Sequence, residues 1–161
     1  MRVFQCTPTE RAAVLGALCR VLEAQEDVVF AYVYGSFLDD RPFHDVDVAV
    51  YLEGMAEPRM SIFAMDLEKS LSPVLSGAEM GRGGDRSPPV DVRVLNQAPL
   101  GFRYHVFRGR LLVSRDEALR TQEVERTVSR YLDLKPLRQR ALKEAMTAFG
   151  LLCGPRGHCS K

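Results

Sequence analysis

The sequence has no apolar run long enough to cross a membrane and no strong net charge. No apolar stretch approaches the roughly 20 residues that span a bilayer. The chain carries 22 lysines and arginines against 21 aspartates and glutamates, a net charge of +1. Without a charge excess, no overall attraction draws the chain to a nucleic-acid backbone or an anionic membrane. We therefore expect neither a membrane nor a nucleic acid as partner, and any phosphate recognition must be local.

The sequence also lacks paired cysteines and a secretory leader. Its four cysteines, Cys6, Cys19, Cys153 and Cys159, form no Cys-x-x-Cys pair. His158 and Cys159 are too few ligands for a structural zinc site. Polar residues at positions 7–11 interrupt the N-terminal apolar cluster, so no leader sequence can be drawn. We expect a cytoplasmic protein with incidental thiols.

The length of 161 residues suits one domain. We place that domain at residues 1–150, because residues 151–161 contain two glycines, a proline and few apolar side chains. Such a composition predicts a flexible C-terminal tail. Residues 77–89 carry four glycines and two prolines, which predicts a mobile loop.

The first helix has a clear start signal. Thr7 precedes Pro8 and lies three residues before Glu10, which is a capping box with proline at the first helical position. An apolar stripe at helical spacing follows, and we expect it to be buried in a helix that runs to about Gln25. Its members are Val14, Leu15, Leu18 and Leu22.

Three segments have the pattern of strands. Residues 28–34 form a continuous β-branched and aromatic run, typical of a buried strand. Residues 45–52 and 90–95 alternate, with valines on one side and charged residues at Asp45, Asp47 and Asp91 on the other. In both segments we expect the valine side to be core and the other side to be a functional site.

The remaining segments are mainly helical. A second helix should begin at Pro58 and end near Pro73, with its apolar side at Ile62, Phe63, Met65, Leu67 and Leu71. A short helix at 100–107 and a short strand at 111–113 precede an amphipathic stretch from Asp116 to about Phe149, which Pro136 should break into two helices. We expect the stripe on these C-terminal helices to pack mainly on the core. The stripe comprises Val124, Val128, Leu132, Leu142 and Met146. The order of elements predicts an α+β fold, a small mixed sheet packed by helices.

The three aspartates form the candidate site. Residues i and i+2 on a strand point the same way, so Asp45 and Asp47 present two carboxylates side by side. Neighbouring carboxylates repel each other unless a cation lies between them, and hard oxygen ligands suit Mg²⁺. If the strand of Asp91 neighbours theirs, Asp91 completes a three-carboxylate site. Such a site predicts phosphoryl or nucleotidyl transfer, in which carboxylate-bound metal neutralises the developing charge.

Gly35 and Ser36 end the strand before the aspartate pair. Gly35 allows the backbone to approach phosphate closely, and Ser36 offers a hydroxyl and an N–H as donors. Taken singly, each of these features is more often structural: an Asp-x-Asp at a solvated strand edge, a Gly-Ser turn, a surface aspartate. Their combination favours a function.

Two neighbouring features receive ordinary structural interpretations. His44 lies beside Asp45 in the loop, where a histidine is more often solvated than catalytic. Arg103, Arg108 and Arg110 form a small basic cluster that is more simply read as a solvated face.

The motifs Tyr34-Gly35-Ser36, Asp45-Val46-Asp47 and the third acidic residue Asp91 resemble the signature of the nucleotidyltransferase superfamily related to DNA polymerase β. The short chain looks like the minimal nucleotidyltransferases, so residues 1–150 would be one such domain. The segments 108–117 and 131–133 look like the MntA antitoxins of HEPN/MNT toxin–antitoxin systems.

The resemblance implies a specific activity. MntA enzymes transfer AMP from ATP onto a tyrosine of HepT, a HEPN-family ribonuclease toxin, and so silence it. By that resemblance Asp45 and Asp47 would bind Mg²⁺, Asp91 would assist the metal or deprotonate the tyrosine, and Gly35 and Ser36 would hold the triphosphate of ATP. Two alternatives stay open: a small-molecule, antibiotic-type nucleotidyltransferase, and a non-catalytic antitoxin that blocks its toxin by binding alone.

Overall fold

The computed structural model describes residues 3–39, 41–76 and 87–149 of the chain. Residues 77–86 of the predicted loop and the predicted tail at 151–161 lie outside the described residues. Within the described part, four helices and four strands alternate irregularly, with a short 3-10 turn after the first strand. In chain order they are α1 (Pro8–Glu23), β1 (Val28–Tyr34), the 3-10 turn (Ser36–Leu38), β2 (Val46–Leu52), α2 (Glu57–Ser76), β3 (Val90–Val94), α3 (Leu100–Phe107), β4 (Arg110–Ser114) and α4 (Glu117–Ala148).

The four strands form one mixed sheet in the order β3-β2-β1-β4. β1 pairs antiparallel with both β2 and β4, whereas β2 and β3 are parallel. A parallel pair needs a crossover connection, and α2 provides it. The fold is therefore α+β, as the sequence predicts.

One face of the sheet carries the main hydrophobic core. The valines of the alternating strands point to this face and pack against α1 and α2. The predicted apolar stripe of α1 is buried. The helix begins at the predicted capping box, in which the side chains of Thr7 and Glu10 each accept a hydrogen bond from the other residue's backbone N–H. From α2 the buried side chains are Ala64, Leu67, Leu71 and Leu75.

The other face has two different ends. Toward the C-terminal end of β2, Ala49 and Tyr51 are covered by a second, smaller core under α3, and Tyr51 stacks on Phe30 at a centroid distance of 4.7 Å. At the opposite end of β2 lies Asp47, which remains partly exposed. The expectation that this whole face is a site is thus wrong for Ala49 and Tyr51, because β1 is buried on both faces and its aromatic residues need a cover.

Two prolines do not end their helices as expected. Pro73 lies inside α2, which continues to Ser76, and Pro136 lies inside α4, a single helix of 32 residues. A proline has no backbone N–H, so the carbonyl four residues earlier loses its helical hydrogen bond. Here those carbonyls belong to Lys69 and Leu132, which are exposed residues, so water can satisfy them. The C-terminal helices are therefore one helix.

The packing of α4 also differs from the expectation. Leu132 and Leu142 of the predicted stripe are 50% and 61% exposed, because the domain contacts the first half of the helix. On α2, Ile62 and Met65 are likewise exposed, at 61% and 59%, because the sheet lies against the side that bears Ala64 and Leu67.

The contact between α3 and α4 is partly ionic. Arg103, expected on a solvated face, is largely buried and pairs with Glu123, itself buried. Between the same two helices Tyr104 stacks on Tyr131, with 3.8 Å between the ring centroids. An arginine buried without its carboxylate would be strongly unfavourable, so Glu123 explains why Arg103 is tolerated inside. No helix in the described part of the chain is long and apolar enough to cross a membrane.

Candidate active site

The sheet aligns three side chains in one row across its neighbouring strands. Tyr34 at the end of β1 is the register partner of Asp47 on β2, and Asp47 is the register partner of Asp91 on β3. Register partners in neighbouring strands share a face of the sheet. The condition set by the sequence, that the strand of Asp91 neighbours that of Asp47, is therefore met.

Asp45 lies one residue before β2 and two before Asp47, and it is partly exposed. Its charge is among the causes that raise the pKa of Asp47, which places the two carboxylates in one electrostatic site. The structure thus brings Asp45, Asp47 and Asp91 to the same end of the sheet.

Gly35 joins β1 to the 3-10 turn that begins at Ser36, and it touches Asp47. Its φ of 80° lies in a region that side chains disfavour. A Cβ built on Gly35 would also overlap the Asp47 carboxylate. Both observations favour glycine here, and they show that the Gly35 backbone lies close to the Asp47 carboxylate.

The electrostatics of the row show excess negative charge. The pKa of Asp47 is raised from 3.8 to about 6, first by burial and then by the nearby Asp45 and Asp91, whereas Arg93 opposes the rise. The pKa of Tyr34 is raised by burial and then by Asp47 and Asp91. Burial is the larger cause of both shifts, and the contribution of the aspartates shows that their charges act on one another across the row.

Arg93 is a basic side chain that contacts the row at Asp91. Its Nε donates a hydrogen bond of 2.8 Å to Oδ2 of Asp91, and the pair is partly exposed. The same bond is the main cause of the raised pKa of Arg93. Arg93 was not among the predicted site residues, although it follows Asp91 by two residues in an alternating segment, a spacing that places both side chains on one face of the strand.

A cavity of about 710 Å³ opens beside the row. Its walls come from the three strands, from the first turns of α2 and from the segment that leads into α3, a convergence that no local sequence pattern indicates. The lining residues are Tyr34, Asp47, Glu57, Met60, Ser61, Asp91, Arg93, Val94, Gln97, Ala98, Pro99 and Phe102.

The carboxylates suit a divalent metal bound together with a phosphorylated substrate. Within the described ranges, no group of three or more His, Cys, Asp or Glu side chains is placed to hold a metal ion unaided. Two neighbouring carboxylates with unbalanced charge are nevertheless the oxygen donors that Mg²⁺ prefers when phosphate oxygens complete its shell. The residues therefore fit the metal that the sequence predicts.

The chain belongs to the family described as polymerase beta nucleotidyltransferases, since the family's model matches residues 17–118, more than half of the chain. That match includes the Gly35-Ser36 turn and all three aspartates. A comparison with curated proteins finds no match.

Solved structures with a similar fold come from toxin–antitoxin complexes. A chain of the complex of tri-AMPylated Shewanella oneidensis HEPN toxin with MNT antitoxin is similar with a TM-score of 0.61 and 18% identity, over 84% of this chain and 98% of that one. A chain of a toxin–antitoxin structure with AMP-PNP has a TM-score of 0.61 and 18% identity, over 82% of this chain and 98% of that one. A chain of the MntA-HepT complex has a TM-score of 0.59 and 18% identity, over 83% of this chain and 97% of that one. At this identity the likeness concerns the fold.

Proposed function

We propose that this protein transfers AMP from ATP onto a hydroxyl group, a tyrosine of a HEPN-family toxin, and thereby acts as the antitoxin of that toxin. The observation that carries the proposal is the row of Asp47 and Asp91 in register, with Asp45 beside it and Gly35 against Asp47. Among similar structures, one contains an AMPylated HEPN toxin bound to its MNT antitoxin, which supports both the reaction and the partner.

Each residue of the row has a role in this proposal. Asp45 and Asp47 hold Mg²⁺, which supplies neutralisation of the triphosphate when bound. The Gly35–Ser36 turn holds phosphate oxygens through its backbone and hydroxyl donors. Asp91 lies at the far end of the row, where it assists the metal or accepts the proton that the attacking hydroxyl loses.

The direct test uses the purified chain, ATP, Mg²⁺ and its purified HEPN partner. We expect intact-mass spectrometry to show AMP added to the partner, and peptide mapping to locate it on a tyrosine. The double variant Asp45→Ala/Asp47→Ala should abolish the addition. As a matched control, Asp66→Ala/Asp133→Ala removes two exposed aspartates from α2 and α4 and should leave the labelling unchanged.

The same experiment separates the alternatives. A partner that is inhibited but unmodified indicates an antitoxin that acts by binding alone. AMP transferred to an aminoglycoside and not to the partner indicates an antibiotic-type nucleotidyltransferase. Equal labelling by the wild type and the Asp45/Asp47 double variant would overturn the assignment of the site.

A further inference from the structure

The strand that carries Asp91 lies at the edge of the sheet. Within the described part of the chain, β3 has a neighbouring strand, β2, on one side only. The carbonyl of Pro89 and the N–H of Leu95 both bond to β2. Since backbone groups alternate in direction along a strand, those of Asp91 also face β2, whereas the N–H of Val92 faces away from the sheet. An outward N–H on an edge strand has no partner in the sheet itself.

A helix supplies the missing acceptor. Oε1 of Glu68 on α2 accepts a hydrogen bond of 3.0 Å from the N–H of Val92. The bond is partly buried, and Val92 is only 4% exposed. A carboxylate acceptor makes such a bond stronger than one between neutral groups, and a buried N–H that loses its acceptor destabilises the structure. Glu68 therefore fixes one peptide group of β3 to α2.

That peptide group joins Asp91 to Val92. Its atoms lie in one plane, which includes the Cα of Asp91, so an anchor on the Val92 N–H also restricts the backbone from which the Asp91 side chain extends. On the other side of the strand, Asp91 is held in register with Asp47. The residue after Val92 is Arg93, which bonds Oδ2 of Asp91. The anchored peptide thus lies between the two members of this ion pair.

We propose that Glu68 is a positioning residue for the Asp91–Arg93 pair: through the Val92 N–H it holds the edge strand so that the Asp91 carboxylate stays in the row. This role rests on the proposed function, in which Asp91 assists the metal or accepts the proton of the attacking hydroxyl. Glu68 acts only through the backbone of β3. Without this anchor the strand is bonded from one side alone at this point, and the Asp91 carboxylate gains freedom to leave the row.

The charges around the pair agree with this arrangement. The pKa of Arg93 is raised chiefly by its hydrogen bond to Asp91, and the charge of Glu68 is a further cause. Glu68 thus lies near the cation of the pair as well as at the peptide beside it. A neighbouring carboxylate on α2 is engaged elsewhere, since Asp66 pairs with Lys69 and both are exposed. Asp66 is therefore a matched control on the same helix.

The same helix connects this anchor to the cavity. The first turns of α2 contribute Glu57, Met60 and Ser61 to the cavity wall, and Glu68 follows Ser61 by about two helical turns. One rigid element therefore contacts both the wall and the strand of Asp91. The bond from Val92 to Glu68 keeps β3 in a fixed position relative to that wall.

NMR tests the positioning without any catalysis. Glu68→Ala should accelerate solvent exchange of the Val92 amide proton at least about tenfold, because the bond that protects it is lost, and should shift the Nε–H signal of Arg93. Glu68→Gln keeps an acceptor oxygen, so exchange at Val92 should stay within about twofold of wild type and the Arg93 signal should stay in place. The Nε–H of Arg120, bonded to Glu117, is the internal reference and should not move in either variant.

Transfer kinetics test the consequence for the site. With the purified HEPN partner, Glu68→Ala should lower kcat about tenfold or more, since a small displacement of a group in the site has effects of this order. The KM for ATP should stay within about twofold of wild type, because the triphosphate is held at the other end of the row. Glu68→Gln should restore kcat to within about twofold, and Asp66→Ala should change neither constant. Urea denaturation measures the folded fraction of each variant, to which kcat is referred.

The outcomes separate this role from the proposed function. If Glu68→Ala lowers stability but leaves the Arg93 signal and kcat unchanged, Glu68 only stabilises the fold and the inference is wrong. A Glu68→Gln variant as impaired as Glu68→Ala would also overturn it, because the acceptor oxygen would then not be what matters. A wild-type protein that transfers no AMP refutes the proposed function, and the response of the Val92 and Arg93 signals then decides alone whether Glu68 positions the pair.

Discussion

The two faces of the sheet use the same strands for opposite purposes. On one face β2 contributes Val46, Val48 and Val50 to the main core, where all three are fully buried. On the other face the same strand presents Asp47, whose pKa is raised because burial and neighbouring carboxylates disfavour its charge. The first face stabilises the folded state. The second face destabilises it in part, because it brings carboxylate charges together at one place.

The site depends on the core for its geometry. Asp47 and Asp91 lie opposite each other only because Val46 pairs with Val90 and Val48 with Val92 in the same register. A shift of one residue would turn the aspartates into the core and the valines outward. The cost of burying charge keeps the register fixed.

The largest contrast is expected for a pair of substitutions on adjacent residues of β2. Asp47→Asn should lower the rate of AMP transfer at least about 1000-fold, roughly 4 kcal/mol, without lowering the free energy of unfolding, because it removes a repelled charge. Val48→Ala should instead lower the free energy of unfolding by about 1–3 kcal/mol while the folded fraction remains active. Transfer assays and urea denaturation of both variants measure the contrast, and a stability loss in Asp47→Asn would contradict it.

A substitution in the main core should have a large effect on stability alone. Leu71 on α2 is fully buried, so Leu71→Ala should lower the free energy of unfolding by about 2–5 kcal/mol. Met65→Ala, at an exposed position of the same helix, should change it by less than about 0.5 kcal/mol. Similar losses in the two variants, measured by urea denaturation, would argue against the orientation of α2.

Gly35→Ala should affect both faces, because Gly35 belongs to the backbone and to the site. Its positive φ with an extended ψ predicts a loss of about 1–3 kcal/mol. The new methyl group would also push the Asp47 carboxylate away, lowering the transfer rate about tenfold or more. Gly54 also has a positive φ, 68°, but a Cβ added there would meet no neighbouring atom. Gly54→Ala is therefore the control that measures the cost of backbone strain without displacing a side chain. Equal transfer rates in the two variants would show that Gly35 does not position Asp47.

A dependence of stability on pH is expected as well. The pKa of Asp47 is about 6 in the folded protein, above its ordinary value of 3.8. Between these values the folded state binds a proton that the unfolded state has released, so stability falls as pH rises through that window. Asp47→Asn lacks this contribution and should gain stability relative to the wild type from pH 4 to pH 7. Urea midpoints in metal-free buffer measure the difference, and a constant difference would contradict the raised pKa.

Much of the fold is predictable from local signals. The Thr7 capping box, the buried run of β1 and the alternation around Asp47 and Asp91 each depend on neighbours close in sequence, and the structure confirms them. The family assignment is confirmed as well. The roles of the individual site residues stay predictions.

What could not be predicted depends on distant neighbours. Pro136 resembles a helix end in sequence. The free-energy cost of a proline inside a helix is smaller when the carbonyl that loses its hydrogen bond faces solvent, and only the structure shows that Leu132 is exposed. Arg103 resembles a surface cation until Glu123, 20 residues later, is found beside it. The cavity combines α2, β3 and the approach to α3, so Met60 and Phe102 carry no local signal of their position.

The long helix α4 should show a gradient of amide hydrogen exchange. Glu123 and Thr127 are buried in its first half. In residues 132–149 every residue is exposed except Met146, which is partly buried. A helical segment with so little packing opens locally at low free energy, so its amide protons should exchange much faster than those near Thr127. Because both halves belong to one helix, the first half is an internal reference. Any molecule that covers the second half would be detected as a slowing of exchange there.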